Sequence, residues 1–194
     1  MPIQIPTNPE TFFTEVIPAE FQRNTAGRAL PHMPYSLSVE IVGAGKFCYK
    51  VSEGALDTRR DADGDFRVRL TVDDLKELVR AAKANAPDEA PKAPAVPATY
   101  QFPPLEQLTG SFRVVIDDLG DKRTIDIAIG PVPADAKPKT TVHTTIDFIA
   151  AQQGKDFGAV EQILRSGGIK IEGDLGYLLR IANAFTGKTR RRER

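Results

Sequence analysis

The feature that most constrains this chain is a strict alternation of apolar and polar residues in two separate segments. Residues 37–41, 47–51 and 66–70 place an apolar side chain at every second position, and residues 112–116 and 125–129 do the same later in the chain. Alternation with period two is typical of strands that bury one face and leave the other in water. It therefore predicts a largely antiparallel sheet in which helices cover a single face.

Helix signals follow the alternating segments. Thr71 and Asp74 form a capping pair before an amphipathic run with Leu75, Leu78 and Val79, which predicts a helix directly after the third strand. An earlier helix is predicted to begin at Asn8-Pro9, because asparagine is a favoured N-cap and proline suits the first turn. Pro18 is expected to break or restart that helix. The predicted fold class is therefore α+β.

The order hairpin, third strand and helix occurs twice, which predicts an internal repeat. Residues 71–75 align with residues 145–149 at an offset of 74 positions, and proline and alanine dominate the segment between the copies. The predicted organisation has four parts. They are an N-terminal partial repeat (1–84), an Ala/Pro-rich linker (85–106), a C-terminal repeat (107–187) and a basic tail (188–194).

The last predicted helix is too apolar for a helix that packs on one sheet face only. Asp174 is its expected N-cap after a short strand at residues 169–172. The expected sheet-facing stripe contains Leu175, Leu178, Leu179, Ala182 and Phe185, and the apolar or amphipathic residues Tyr177, Ile181 and Ala184 lie outside it. A helix that is apolar over more than half its circumference needs further cover. Either a neighbouring helix packs there, or part of the helix lines an apolar cavity.

The segment Gly168-Ile169-Lys170-Ile171-Glu172-Gly173-Asp174-Leu175-Gly176, followed by an apolar helix, resembles the closing segment of the sterol carrier protein type 2 family. Residues 10–16 are similar to the short helix that begins many domains of that family. The resemblance covers residues 8–187 as two partial tandem copies. It implies a sheet with helices over one face, and a tunnel between them that holds fatty acyl chains, sterols and similar apolar molecules.

The resulting hypothesis is non-catalytic binding or carriage of an apolar ligand, such as a fatty acyl chain, a sterol or a similar lipid, in a cavity between sheet and helices. The alternative is a scaffold or oligomerisation module with a filled core, since two partial copies could close each other's cavity. Nine residues are the expected ligand-binding wall: Phe148, Ile149, Val160, Ile163, Leu164, Leu178, Ile181, Ala182 and Phe185.

The sequence offers little in favour of catalysis, and the expectation is that the protein is not an enzyme. His32 and His143 have no cysteine or histidine at ligand spacing, so neither a metal site nor a cofactor is expected. Residues 61–65 have the acidic pattern of a calcium loop but lack its sixth-position glycine, so a polar hairpin turn is expected there. Cys48 alternates onto the water-facing side of its strand, without a histidine nearby in sequence to activate it.

Charge and cysteine usage restrict partners and location. The formal net charge is zero, but residues 188–194 carry +4, and no second basic cluster extends this footprint. Nucleic acid is therefore not an expected partner, whereas transient membrane contact and a homodimer stay open. A single cysteine fits a reducing compartment, and the N-terminus has no secretory signal pattern. A soluble, cytoplasmic protein is expected.

Overall fold

The computed structural model describes residues 8–25, 34–52, 55–84, 102–117, 122–133, 136–151 and 167–186. Within them the chain is an α+β protein, as the alternation predicts. The basic tail, most of the Ala/Pro-rich linker, His32 and the segment with Val160, Ile163 and Leu164 lie outside the described residues.

Eight strands and five helices make up the described part of the chain. The strands are β1 Ser36–Val42, β2 Gly45–Ser52, β3 Ala55–Arg60, β4 Phe66–Thr71, β5 Gly110–Ile116, β6 Arg123–Ile129, β7 Thr140–Thr144 and β8 Ile169–Gly173. Helix α1 has three continuous parts, Pro9–Thr11, a π-helical turn Phe12–Val16 and Ile17–Thr25. The other helices are α2 Val72–Ala84, α3 Leu105–Leu108, α4 Ile146–Ala151 and α5 Leu175–Thr186. None of the described helices is long and apolar enough to cross a membrane.

All eight strands belong to one sheet with the order β3-β2-β1-β4-β6-β5-β7-β8. Four strands precede the Ala/Pro-rich segment and four follow it. The two sets join where β4 pairs with β6, Phe66 opposite Ile129 and Val68 opposite Ile127. Backbone hydrogen bonds therefore run without interruption from the N-terminal to the C-terminal half.

The sheet is largely antiparallel, as the alternation predicts, but two of the seven pairings between the described strands are parallel, so the sheet is mixed. Strand β1 is parallel to β4, and β5 is parallel to β7, while the other five pairings between the described strands are antiparallel. Alternation reports only that a strand has one buried and one polar face, and a parallel strand between other strands satisfies that condition equally well.

Helices cover one face of the sheet, the helix-bearing face. Two apolar clusters lie beneath them. The first joins α1 and α2 to β1, β2 and β4 and contains Phe12, Phe13, Ile41, Phe47, Tyr49, Leu70 and Leu75. The second joins α3 and α5 to the sheet and contains Leu108, Ile129, Tyr177, Ile181 and Ala184. The other side, the charged face, carries Glu40, Lys46, Arg67, Arg69, Arg113 and Asp126, among others.

The expected break at Pro18 is wrong, because α1 continues through it. Proline has no N–H with which to bond the fourth preceding carbonyl, and its ring crowds that carbonyl. The π-helical turn directly before it widens the helix, and the N–H of Ile17 donates to the carbonyl of Phe12 five residues back. One extra residue in the turn thus accommodates proline without ending the helix.

Two expectations about the first half need correction. Residues 61–65 are not a hairpin turn, because β3 and β4 are not neighbours and this loop carries the chain across β2 and β1. Cys48 is on the charged face but is only 6% exposed. The crossing loop runs beside it, with Gly64 packed against the backbone of Ser38, which is the register partner of Cys48. Burial raises the pKa of the Cys48 thiol.

Candidate functional site

Helix α5 is fixed to the sheet at its N-terminus by a network of backbone and side-chain bonds. Asp174 is the N-cap, and its carboxylate accepts the N–H of Tyr177 at 2.9 Å. The Asp174 N–H donates to the carbonyl of Lys139, and its carbonyl accepts the Thr140 hydroxyl at 2.7 Å. Gly173 has φ +98° and packs against the Lys139 backbone, so the chain turns from β8 into α5 at a position that favours glycine.

Tyr177 is the main anchor of α5. It is 1% exposed, and its hydroxyl donates to the carbonyl of Leu108 at 3.1 Å. Its ring occupies the space above Gly110, where a Cβ atom would lie 2.7 Å from Cζ. Burial raises the pKa of Tyr177 to about 12, so the phenol stays a neutral donor at physiological pH. The sequence placed Tyr177 outside the packed stripe of α5, and the structure corrects this.

The buried stripe of α5 is Tyr177, Ile181 and Ala184, which are 1%, 8% and 5% exposed. Leu175, expected on the sheet-facing stripe, is 42% exposed. Because the helix is apolar over more than half its circumference, the sequence pattern allows several rotations about its axis. The hydrogen bond from Tyr177 to Leu108 and the packing of the Tyr177 ring over Gly110 select one of these rotations.

An apolar row crosses the helix-bearing face of the C-terminal half. Val114 pairs with Ile125 on one side and with Val142 on the other, and Val142 pairs with Ile171. All four side chains are only half-buried. We call these four residues the apolar trough.

The row on one side of the apolar trough is buried on its central strands, at Ile116 and Thr144. In the row on the other side Thr140 is buried, whereas Phe112 is half-buried like Val114 and Val142 and packs against the second apolar cluster. The shallow packing of this face therefore includes the trough and extends to Phe112.

The expected wall residues take different positions. Phe148, Leu178 and Ala182 are half-buried, and the Phe148 ring lies against Gly168 at the start of β8. Ile181 packs in the second apolar cluster. Ile149 and Phe185 lie in α4 and α5, but their side chains are outside the described residues, as are Val160, Ile163 and Leu164.

The sequence did not predict the apolar trough as a binding site. In the sequence its residues are ordinary inward-facing strand positions, indistinguishable from those of the N-terminal half. Only the register across four strands places them in one row, and single-strand alternation carries no information about register.

His143 lies on the charged face, as the alternation predicts. Its Nδ1 is 3.6 Å from Asp117 Oδ2, and its Nε2 is 3.7 Å from Glu172 Oε2. Among the described residues, no group of three or more histidine, cysteine, aspartate or glutamate side chains could hold a metal ion.

No protein-family model and no curated protein matches the chain. Among solved structures, it is similar to the sterol carrier protein 2 like 2 of Aedes aegypti. The two are 19% identical, the match covers 57% of this chain and 94% of that chain, and the TM-score is 0.33.

Proposed function

We propose that this chain is a non-catalytic binding protein for an apolar ligand, a fatty acyl chain, a sterol or a similar lipid. The observation that carries the proposal is the apolar trough. Its four β-branched residues stand side by side on neighbouring strands and are half-buried, although they lie on the face that the helices cover. Apolar surface that the fold itself leaves partly exposed can be removed from water by a ligand.

The N-terminal half provides the internal comparison. By the offset between the halves, Val39 and Val68 correspond to Val114 and Val142, and they are half-buried as well. Val39 and Val68 pack against the first apolar cluster, which contains aromatic side chains of α1, whereas the four trough residues belong to neither cluster of the described residues. This difference in packing favours a binding role for the second half.

The trough has the size and chemistry of a binding surface for an acyl chain. Four neighbouring strands span three spacings, roughly 14 Å. Each CH₂ group removed from water contributes about 0.8 kcal/mol, so burial of about ten methylene groups corresponds to the roughly 8 kcal/mol of micromolar binding. The expected wall residues Phe148, Leu178 and Ala182 lie on α4 and α5, which pack over this half of the sheet, and they would form the sides of the site.

We also propose that the two halves are partial copies of one unit. In both, a hairpin's first strand pairs in parallel with a later strand that leads directly into a helix. Leu37 pairs with Phe66, and Phe112 pairs with Thr140, so the parallel registers correspond at offsets of 75 and 74 residues. Carriage in the cytoplasm, transient membrane contact and a homodimer remain expectations from the sequence.

The test uses a fluorescent fatty acid as the probe and palmitate as the competitor. We expect saturable binding that palmitate displaces, and native mass spectrometry of gently purified protein should show a lipid adduct. Val142→Trp should fill the trough and weaken probe binding at least tenfold, and Ile171→Trp on the edge strand should act in the same way. Thr141→Trp is the matched control, since it adds the same ring to the opposite face of β7.

A second candidate function is a scaffold with a filled core. The packed cluster around Tyr177 and Ile181 favours it, because those residues fill the interface between α5 and the sheet. The two candidates differ in one measurement. Protein that carries no lipid and binds no probe, with Val142→Trp folded as stably as the unmodified chain, would remove the lipid-binding proposal and leave the scaffold.

A further inference from the structure

The charged face of the sheet holds a groove of about 590 Å³ on the side opposite to the apolar trough. Its floor comes from β1, β4, β5 and β6, and the segment between β6 and β7, with Val132, Pro133 and Lys137, forms its other side. We call it the polar groove. Its volume lies within the usual range of small-molecule sites, roughly 300–1,000 Å³.

One wall of the polar groove is a row of alternating charges. Lys46, Glu40, Arg69, Asp126 and Arg113 are successive register partners on five neighbouring strands. Arg113 makes a two-pronged contact with Asp126, at 2.6 and 3.1 Å. Arg69 Nε lies 3.4 Å from Glu40 Oε1, and Lys46 Nζ lies 2.7 Å from Asp63 Oδ1. Each cation of this row thus has a carboxylate partner, and the row with Asp63 is neutral.

Two further cations line the polar groove without such a partner among the described residues. The Nη2 of Arg67 donates to the carbonyls of Gly130 and Val132, at 2.9 and 2.6 Å. These contacts fix the guanidinium, but carbonyl groups carry no charge, and no carboxylate of the described residues forms an ion pair with Arg67. Lys137 is exposed on the opposite side of the groove. The described lining therefore has a net charge of +2, and both unpaired charges face one space.

The floor around Arg67 is built from small residues. Ser38, Arg67, Ala128 and Ser111 are successive register partners across β1, β4, β6 and β5. Small side chains beside the arginine leave room above the sheet, and Ser111 lines the groove with a hydroxyl that can donate a hydrogen bond. A fixed guanidinium, a lysine and a hydroxyl around an open volume are the groups that bind oxyanions.

We propose that the polar groove is a binding site for a small organic oxyanion, a carboxylate- or phosphate-bearing molecule. Arg67 and Lys137 contact the anionic group, and Ser111 orients it. The site is independent of the apolar trough, because it lies on the other face of the sheet. The row of paired charges beside the site is neutral overall and does not attract a long polyanion. The ligand is therefore a small molecule.

The experiment is isothermal titration of the full chain with inorganic phosphate and with succinate, each at constant ionic strength maintained with chloride. We expect saturable binding of at least one oxyanion. Lys137→Gln should weaken it about tenfold, the effect of losing one charge-assisted contact. Lys50→Gln is the matched control. Lys50 is an exposed lysine of β2 on the charged face of the sheet, but it does not line the groove.

The pattern of results identifies the ligand class or removes the proposal. Binding of phosphate alone indicates a phosphate-bearing ligand, and binding of succinate alone indicates a carboxylate. Arg67→Lys, which keeps the charge but loses the paired carbonyl contacts, should also weaken binding, and the amide NMR signals of Ser111 and Ala128 should shift on titration. Absence of saturable binding by both anions would overturn the proposal. Equal affinity of Lys137→Gln and Lys50→Gln would do the same.

Discussion

Leu175 and Ile181 share one helix and an apolar character, yet they lie in different environments. Leu175 is 42% exposed, whereas Ile181 is 8% exposed and packs in the cluster with Tyr177 and Ile129. We expect Ile181→Ala to lower the free energy of unfolding by about 2–5 kcal/mol, because the removed atoms leave a cavity. Leu175→Ala should cost under about 0.5 kcal/mol.

Denaturant unfolding of the two variants, followed by circular dichroism, measures this difference. Equal losses at both positions would contradict the orientation of α5 described here. The sequence alone predicts the opposite order, with Leu175 as the packed residue. Its error has a physical origin, since the polar stripe of this helix, with Arg180 and Asn183, is too narrow to fix the rotation of the helix. The deciding contacts come from Gly110 and Leu108, which are distant in sequence.

At the scale of elements, the two helices that follow the parallel strands begin with caps of unequal strength. Thr71 and Asp74 bond reciprocally: the Thr71 hydroxyl donates at 2.6 Å, and the Asp74 N–H returns a bond at 3.1 Å. At the corresponding position of α4, Thr145 only accepts the N–H of Phe148, at 3.2 Å. Asp74 is also 7% exposed and lies 3.5 Å from Arg123.

Thr71→Ala should therefore destabilise the protein by about 1–2 kcal/mol and Thr145→Ala by roughly half as much, as losses of an N-cap usually do. The effect at Thr71 is larger because loss of its hydroxyl also deprives the buried Asp74 carboxylate of a hydrogen-bond donor. Thermal unfolding of both variants checks the order, and Thr71→Ser should restore most of the loss. A Thr145→Ala variant that is the less stable of the two would contradict this account.

Local signals predicted the elements better than their arrangement. The Thr71–Asp74 cap, the Asp174 cap and the Asn8 cap all bond as their residue types predict. Strand β3 was missed, because Ala55–Arg60 has one large apolar residue and no alternation to reveal it. Parallel pairing was also missed, and so was the position of the apolar trough, because strand order and register depend on contacts between distant segments.

At the scale of the molecule, the pairing of β4 with β6 makes each half an incomplete sheet. Without the other half, β4 and β6 would each expose an unpaired edge next to Phe66 and Ile129. We expect a chain cut at an engineered protease site within residues 85–101 to stay associated on size-exclusion chromatography. Each piece produced alone should lack a cooperative thermal transition.

Circular dichroism of the separate pieces tests this dependence, and mixing them should recover the transition of the intact chain. The contrary outcome is a cooperative transition in either piece alone, which would make that half an autonomous domain. The predicted division at residues 84 and 107 would then describe folding units as well as segments of sequence.

The same pairing has a consequence during synthesis on the ribosome. Strand β4 emerges roughly 60 residues before its partner β6, which at the usual rate of translation is roughly 3–12 s. For that time the growing chain has a strand edge with no neighbour, and such edges invite pairing with other chains. The residues of β4 that alternate with its apolar ones are Arg67 and Arg69. Their charges discourage aggregation of the nascent half until the second half arrives.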